Sequence, residues 1–140
     1  MTRVDFYSNA ESRVHTTCLL IGKAIHKRMK VLVFSPDRQT AQSLDRMLWT
    51  FRATSFIPHC LSSDRLASRT PVVIATNADL PGHDQLIVNL SRECPPAFSR
   101  YQRLIEIVGR EDEERRLARE RWRFYKERGY EVHHVDLGTA

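Results

Sequence analysis

Apolar residues follow two rhythms along this chain. Short unbroken runs at Val31-Leu32-Val33-Phe34, at Val72–Thr76 (VVIAT) and within Gln85–Leu90 (QLIVNL) suit strands buried on both faces, as in a parallel sheet. Val4-Asp5-Phe6-Tyr7 predicts a first strand and Leu104–Val108 (LIEIV) a later one. Tyr130–Asp136 (YEVHHVD) predicts a last strand, and its polarity places it at a sheet edge. The second rhythm is helical. Val14, Cys18, Ile21 and Ile25 recur at spacings of four, three and four, which makes one apolar stripe. Ala41, Leu44 and Leu48 share a face of a second helix over Asp37–Trp49. Ser8-Asn9-Ala10-Glu11 has capping-box spacing, and Ser35-Pro36 reads as an N-cap followed by proline at the first helical position. Polar Leu61–Thr70, the turn at Leu80–Asp84 and the break at Glu93-Cys94-Pro95-Pro96 punctuate the rest. Strands alternating with helices predict one α/β domain over residues 1–140 with a largely parallel sheet.

The most distinctive stretch is Glu111–Arg128, EDEERRLARERWRFYKER. Acids crowd its start and bases its end, the order a helix dipole favours, and Gly129 follows as a stop. On a helical wheel, Leu117, Ala118, Phe124 and Tyr125 fall on one side, expected to face the core. Arg115, Arg119, Arg123 and Lys126 fall on the other, with Trp122 at the seam. A solvated face braced by pairs such as Glu111–Arg115 is the plain reading. Beyond its first turn, however, this face is almost purely positive and bordered by a tryptophan. That pattern suits an acidic peptide with an apolar group, or single-stranded nucleic acid.

A second aromatic group, Trp49 and Phe56, flanks the connection after the second helix. It has two readings, as core or as an exposed patch that docks a partner. Composition is that of a soluble globular chain, with 22 bases against 17 acids and a net charge of +5. The charge favours acidic partners. Three cysteines (Cys18, Cys60, Cys94), an odd number with no CxxC pair, point to a reducing compartment, and Cys18 reads as a small buried hydrophobe. No apolar run reaches bilayer length and the N-terminus has no signal-peptide pattern, so we expect a cytoplasmic protein with no membrane partner.

Enzymatic signatures are missing. Neither phosphate-cradling glycine loop occurs among the five glycines, so no nucleotide cofactor is expected. His59 and Cys60 are adjacent in an extended segment and point to opposite sides, which makes a poor thiol–imidazole pair. With His83 and Cys94 they match no standard zinc spacing, so neither a metal nor any catalytic residue is expected.

Several segments, in order and nearly end to end, resemble the chi subunit family of bacterial DNA polymerase III. They are Val4-Asp5-Phe6-Tyr7; Lys30-Val31-Leu32-Val33; Leu44-Asp45 with Leu48-Trp49; Ser55-Phe56-Ile57-Pro58-His59; and Leu117–Arg123 (LARERWR) with Tyr125 and Gly129. The resemblance implies a Rossmann-like α/β domain without catalytic activity. It would link the clamp loader, through the psi subunit, to the acidic C-terminal tail of single-stranded DNA-binding protein, and so reach DNA indirectly. It also implies a tail site at Arg115, Arg119, Trp122 and Arg123, with Val108 and Val132 as apolar walls. Trp122 and Arg115 depart from the Tyr and Lys commonest in the family, and Arg is not a neutral swap for Lys. The psi surface would include Trp49 and Phe56. Direct single-stranded nucleic-acid binding by the basic, Trp-edged helix remains the alternative.

Overall fold

The computed structural model describes residues 1–51, 59–61, 70–75 and 83–138. Within them lie seven strands: β1 (Arg3–Ala10), β2 (Val31–Phe34), β3 (His59–Leu61), β4 (Val72–Ala75), β5 (Leu86–Asn89), β6 (Arg103–Gly109) and β7 (Glu131–Asp136). Three α-helices accompany them: α1 (Arg13–His26), α2 (Arg38–Thr50) and α3 (Asp112–Glu127). The strands form one sheet in the order β3-β4-β2-β5-β6-β1-β7, and all pairings are parallel. The apolar runs explain the middle. Every residue of β2, β4 and β5 is buried, as strands covered on both faces must be. Polar β7 lies at one edge, as expected, with Val132 the one buried residue of its six.

Alternation along the strands divides the core into two layers. On one face α1 and α2 pack Cys18, Ile21, Leu44 and Leu48 against Val31, Val33, Ile74, Ile105 and Ile107. Burial pushes the Cys18 thiol up to about 11, consistent with an inert apolar role. On the other face α3 sets Ala118 and Tyr125 against Val4, Phe6, Leu104 and Val108.

Three local expectations are corrected. Ser8 does not open a helix: β1 runs on to Ala10, and Ser12 caps α1 by accepting from His15 N–H at 3.2 Å. Asp37, not Ser35, caps α2 through Thr40 N–H at 3.3 Å. In both places several capping residues stand close together, and the sheet fixes which one the chain has reached when it turns. Finally, His59-Cys60-Leu61 pairs with β4 as a third, edge strand, too short to show a period. The turn at 80–82, most of the polar loop (62–69) and Phe56 lie outside the described residues.

At the junction of β5, β6 and α3 sits a carboxylate that the LIEIV pattern left unexplained. Glu106 is fully buried. It accepts from Arg121 Nε at 3.1 Å, Tyr125 O–H at 2.6 Å and Asn89 Nδ2 at 2.9 Å. Arg121, itself buried, also donates to the Arg92 carbonyl at 2.8 Å. Burial pushes the Glu106 carboxyl above its ordinary value of 4.5, against the pull of Arg121 and the hydrogen bonds. A buried pair stripped of one partner costs about 3–5 kcal/mol. We therefore expect Arg121→Met to lose that much in urea unfolding at about pH 8. A carboxyl whose folded pKa is raised holds its proton more tightly when folded, so stability falls as pH rises through that pKa. The penalty should accordingly shrink at about pH 5, where Glu106 can be neutral; a pH-independent penalty would mean Glu106 stays charged throughout.

Candidate peptide-binding groove

The network at Glu106 fixes the roll of α3. Arg121 and Tyr125, one turn apart, face β5 and β6, which turns Arg115, Ala118, Arg119 and Trp122 toward the β1–β7 side. There they line a groove of about 280 Å³ with Phe6 and Ser8 of β1, Val108 of β6 and His134 of β7. Small Ala118 leaves room between the turns of the helix. The Trp122 ring forms a wall, tilted against Phe6 at 5.2 Å and edge-on to His134 at 6.2 Å. Lys126 Nζ lies 5.6 Å from the centre of the Trp122 ring. Ser8 Oγ and His134 Nε2 are 2.6 Å apart across β1 and β7. The groove is thus apolar within, and two arginines on successive turns stand beside it.

Among the described residues, neither Arg115 nor Arg119 forms an ion pair, whereas Arg116 is held by Glu113 at 2.7 Å and Glu120 at 3.0 Å. Arginines without carboxylate partners remain available to an incoming one. Nearby, the Asp136 carboxyl is held below its ordinary range, first by Asn9 Nδ2 and then by Gly138 N–H, with Arg115 a minor contributor.

Of the residues expected at this site, Val108, Arg115, Arg119 and Trp122 come together in the groove. Val132 does not line it. It lies in the core beneath, paired with Val4, while His134, two residues on and paired with Phe6, reaches the wall. Arg123 is exposed on α3 outside the lining. Phe6, Ser8 and His134 were missed because only strand register brings them opposite the helix. Among the described residues, no three His, Cys, Asp or Glu side chains are grouped to hold a metal, and no helix is long and apolar enough to cross a membrane.

At the far edge of the sheet, the second aromatic group is partly visible. Trp49 is 56% exposed, and its ring lies 4.2 Å from that of His59 on β3. Asp45 Oδ1 reaches His59 Nε2 at 3.6 Å, while Leu44 and Leu48 enter the core. The Leu-Asp…Leu-Trp…His pattern is therefore one packing unit that joins α2 to β3. Leu61, on the same side of β3 as His59, is also exposed.

The family model described as "DNA polymerase III chi subunit, HolC" matches residues 1–133. The chain belongs to the DNA polymerase III chi subunit family. It is 35% identical over 134 residues to DNA polymerase III subunit chi of Pseudomonas aeruginosa, covering 93% of each chain. To the Escherichia coli subunit it is 27% identical over 132 residues, covering 94% of this chain and 88% of that one. The Haemophilus influenzae subunit is also 27% identical, over 123 residues. Among solved structures, a chain in a Saccharomyces cerevisiae Dbp5 complex with Nup159 and Gle1 superposes with a TM-score of 0.61 at 13% identity. That match covers 99% of this chain but 42% of the other, and at this identity it speaks only for the fold.

The chi-family chain thus offers Trp49 at its surface while its neighbour Leu48 is fully buried. Leu48→Ala should cost about 2–5 kcal/mol of stability. Trp49→Ala should cost under about 1 kcal/mol, since it opens no cavity. Paired thermal melts distinguish them, and equal losses would make Trp49 a core residue.

Proposed function

We propose that this chain is a non-catalytic adaptor of the replication machinery: it holds the acidic C-terminal tail of single-stranded DNA-binding protein in the groove and attaches to the clamp loader, through psi where present, at the Trp49 edge. The observation that carries this reading is the groove itself, an apolar hollow walled by Trp122 and flanked by Arg115 and Arg119, which form no ion pair among the described residues. Its volume lies at the small end of ligand pockets, which run to about 1,000 Å³, and suits one terminal side chain rather than a cofactor. The terminal aromatic of the tail would enter against Trp122, Phe6 and Val108, with its carboxylate and neighbouring acids meeting Arg115 and Arg119. Arg123 and Lys126, further along the helix, would attract the remaining acids at longer range.

Membership of the chi family supports both partners, and with them a place in the cytoplasm beside the polymerase. A non-sequence-specific single-strand platform stacks successive bases on several aromatics. Here the accessible rings of the groove are half-buried Trp122 and exposed His134, edge-on to one another, while Phe6 is 3% exposed, so they form no platform for successive bases, which favours the peptide. At the other edge, exposed Trp49 and Leu61 provide the kind of apolar contact that interface hot spots use.

Titration of a labelled tail peptide at fixed salt tests the groove. Arg119→Ala should lose about ten- to hundredfold in affinity, the equivalent of a charge-assisted bond worth roughly 1.5–3 kcal/mol. Arg116→Ala should lose little, because Glu113 and Glu120 already neutralise Arg116. Equal losses would mean diffuse attraction rather than a defined site. At the second edge, Trp49→Ala with Phe56→Ala should release psi or the clamp loader in a pull-down while tail affinity is kept. Loss of both partners at once would remove the two-surface reading.

A further inference from the structure

The turn between α1 and β2 carries the densest positive charge outside α3. Lys23-Ala24-Ile25-His26-Lys27-Arg28-Met29-Lys30 holds four cations and a histidine and no acid. All five of those side chains are exposed, and among the described residues none of the four cations forms an ion pair. The turn lies where the strands begin. Gln85 Oε1 accepts from Lys30 N–H at 2.6 Å and ties it to the end of β5. Continuing along that end come exposed Arg100, ahead of β6, and Arg3 on β1, whose Nε is held by the buried Asp5 carboxylate at 3.2 Å and so adds less charge. Three strand spacings separate β2 from β1, so the positive strip is about 14 Å long. Among the described residues, Asp84, beside Gln85, is the exposed acid within it.

Cations near a helix C-terminus complement its dipole, and this accounts for Lys23 and His26 in the last turn of α1. It does not account for Arg28. That residue has a φ of 59°, in the left-handed region. Its N–H bonds the Ile25 carbonyl at 2.8 Å, and Met29 N–H bonds the Ala24 carbonyl at 3.0 Å, which is the left-handed helix stop. α3 ends in the same way. Gly129 N–H bonds Lys126 at 3.0 Å and Tyr130 N–H bonds Tyr125 at 3.1 Å, but there the left-handed residue is a glycine with φ 84°. Glycine adopts this conformation freely, whereas a residue with a Cβ is strained in it. Strain of this kind collects where the side chain is used.

We infer that the Lys23–Lys30 turn contacts the phosphodiester backbone of nucleic acid, on a surface separate from the groove. Its cations sit on long stems along an open edge and are spread over a strip rather than gathered round a hollow. That suits a polyanion of regular charge better than the end of a peptide. Arg28 is kept at the left-handed position for its charge, at the expense of fold stability.

Fluorescence anisotropy of a labelled oligothymidylate at low salt tests this. Three or four neutralised phosphates, at about 0.7 each, give a log–log salt slope of about −2 to −3. Lys27→Glu with Lys30→Glu should weaken binding at least about tenfold. Arg28→Gly should weaken it about threefold and flatten the slope by about 0.7, while raising Tm by about 2–4 °C. Both variants should bind the acidic tail peptide as the parent does, so failure of this surface is distinguishable from failure of the groove. The proposal is overturned if the parent does not bind the oligonucleotide, or if Arg28→Gly leaves affinity unchanged or lowers Tm. It is equally overturned if Arg119→Ala abolishes oligonucleotide binding, which moves the contact to α3. If polyglutamate displaces the oligonucleotide at equal charge concentration, the surface is one for acidic protein and the nucleic-acid assignment fails.

Discussion

The hydrogen-bonded knot at Glu106 holds this molecule in its particular shape. A helix laid on a sheet by apolar contacts alone can roll, because Leu, Ala and Phe faces tolerate many rotations. A buried carboxylate cannot tolerate its partners' leaving. Arg121 and Tyr125 on α3 and Asn89 on β5 all converge on it, which fixes α3 both along its axis and about it. With the roll fixed, Ala118 and Trp122 must face β1 and β7, and Arg115 and Arg119 must stand beside the groove. The buried network at Glu106 thereby sets the composition of the surface groove through one helix orientation.

The sheet arranges the molecule along two axes. Across the strands, the groove lies toward the β7 edge and Trp49 over the β3 edge. Six strand spacings separate those edges, about 29 Å. Partners docked at the two edges, as proposed, would stand apart at that separation. Both sites are reached from a rigid scaffold: α3 is anchored through Glu106, and α2 through Leu44 and Leu48 beneath Trp49.

Along the strands, the charge divides. Helix starts gather at the ends of β1, β2 and β6, where Glu11, Asp37, Glu93, Glu111 and Glu114 outnumber Arg13, Arg92 and Arg110. In an open parallel sheet this end is the usual ligand crevice. Here its carboxylates complement the helix dipoles and oppose an incoming phosphate, in keeping with the missing glycine loops. The opposite end carries Lys27, Arg28, Lys30 and Arg100, a positive strip that favours an anionic partner, apart from Arg115 and Arg119 beside the groove.

Much of this was legible in the residues alone, because strand burial is written as unbroken apolar runs. Val31–Phe34, Val72–Ala75 and Leu86–Asn89 could hardly be anything but central strands, and polar Glu131–Asp136 could hardly be other than an edge. The stripe of α1, the charge order of α3, and the family motifs with their basic, Trp-bordered face are local patterns, so they needed no coordinates. What the sequence withheld depends on which distant residues meet. Glu106 and Arg121 read as one acid and one base among many, since burial is decided by the elements packed over them. His59-Cys60-Leu61 became a strand only because β4 offered it an edge. Phe6, Ser8 and His134 joined the groove, and Val132 sank beneath it, through a register in which Phe6 faces His134 and Val4 faces Val132. A shift of one residue would exchange the faces of β7, and that choice lies in hydrogen bonds between strands more than a hundred residues apart, not in either strand by itself.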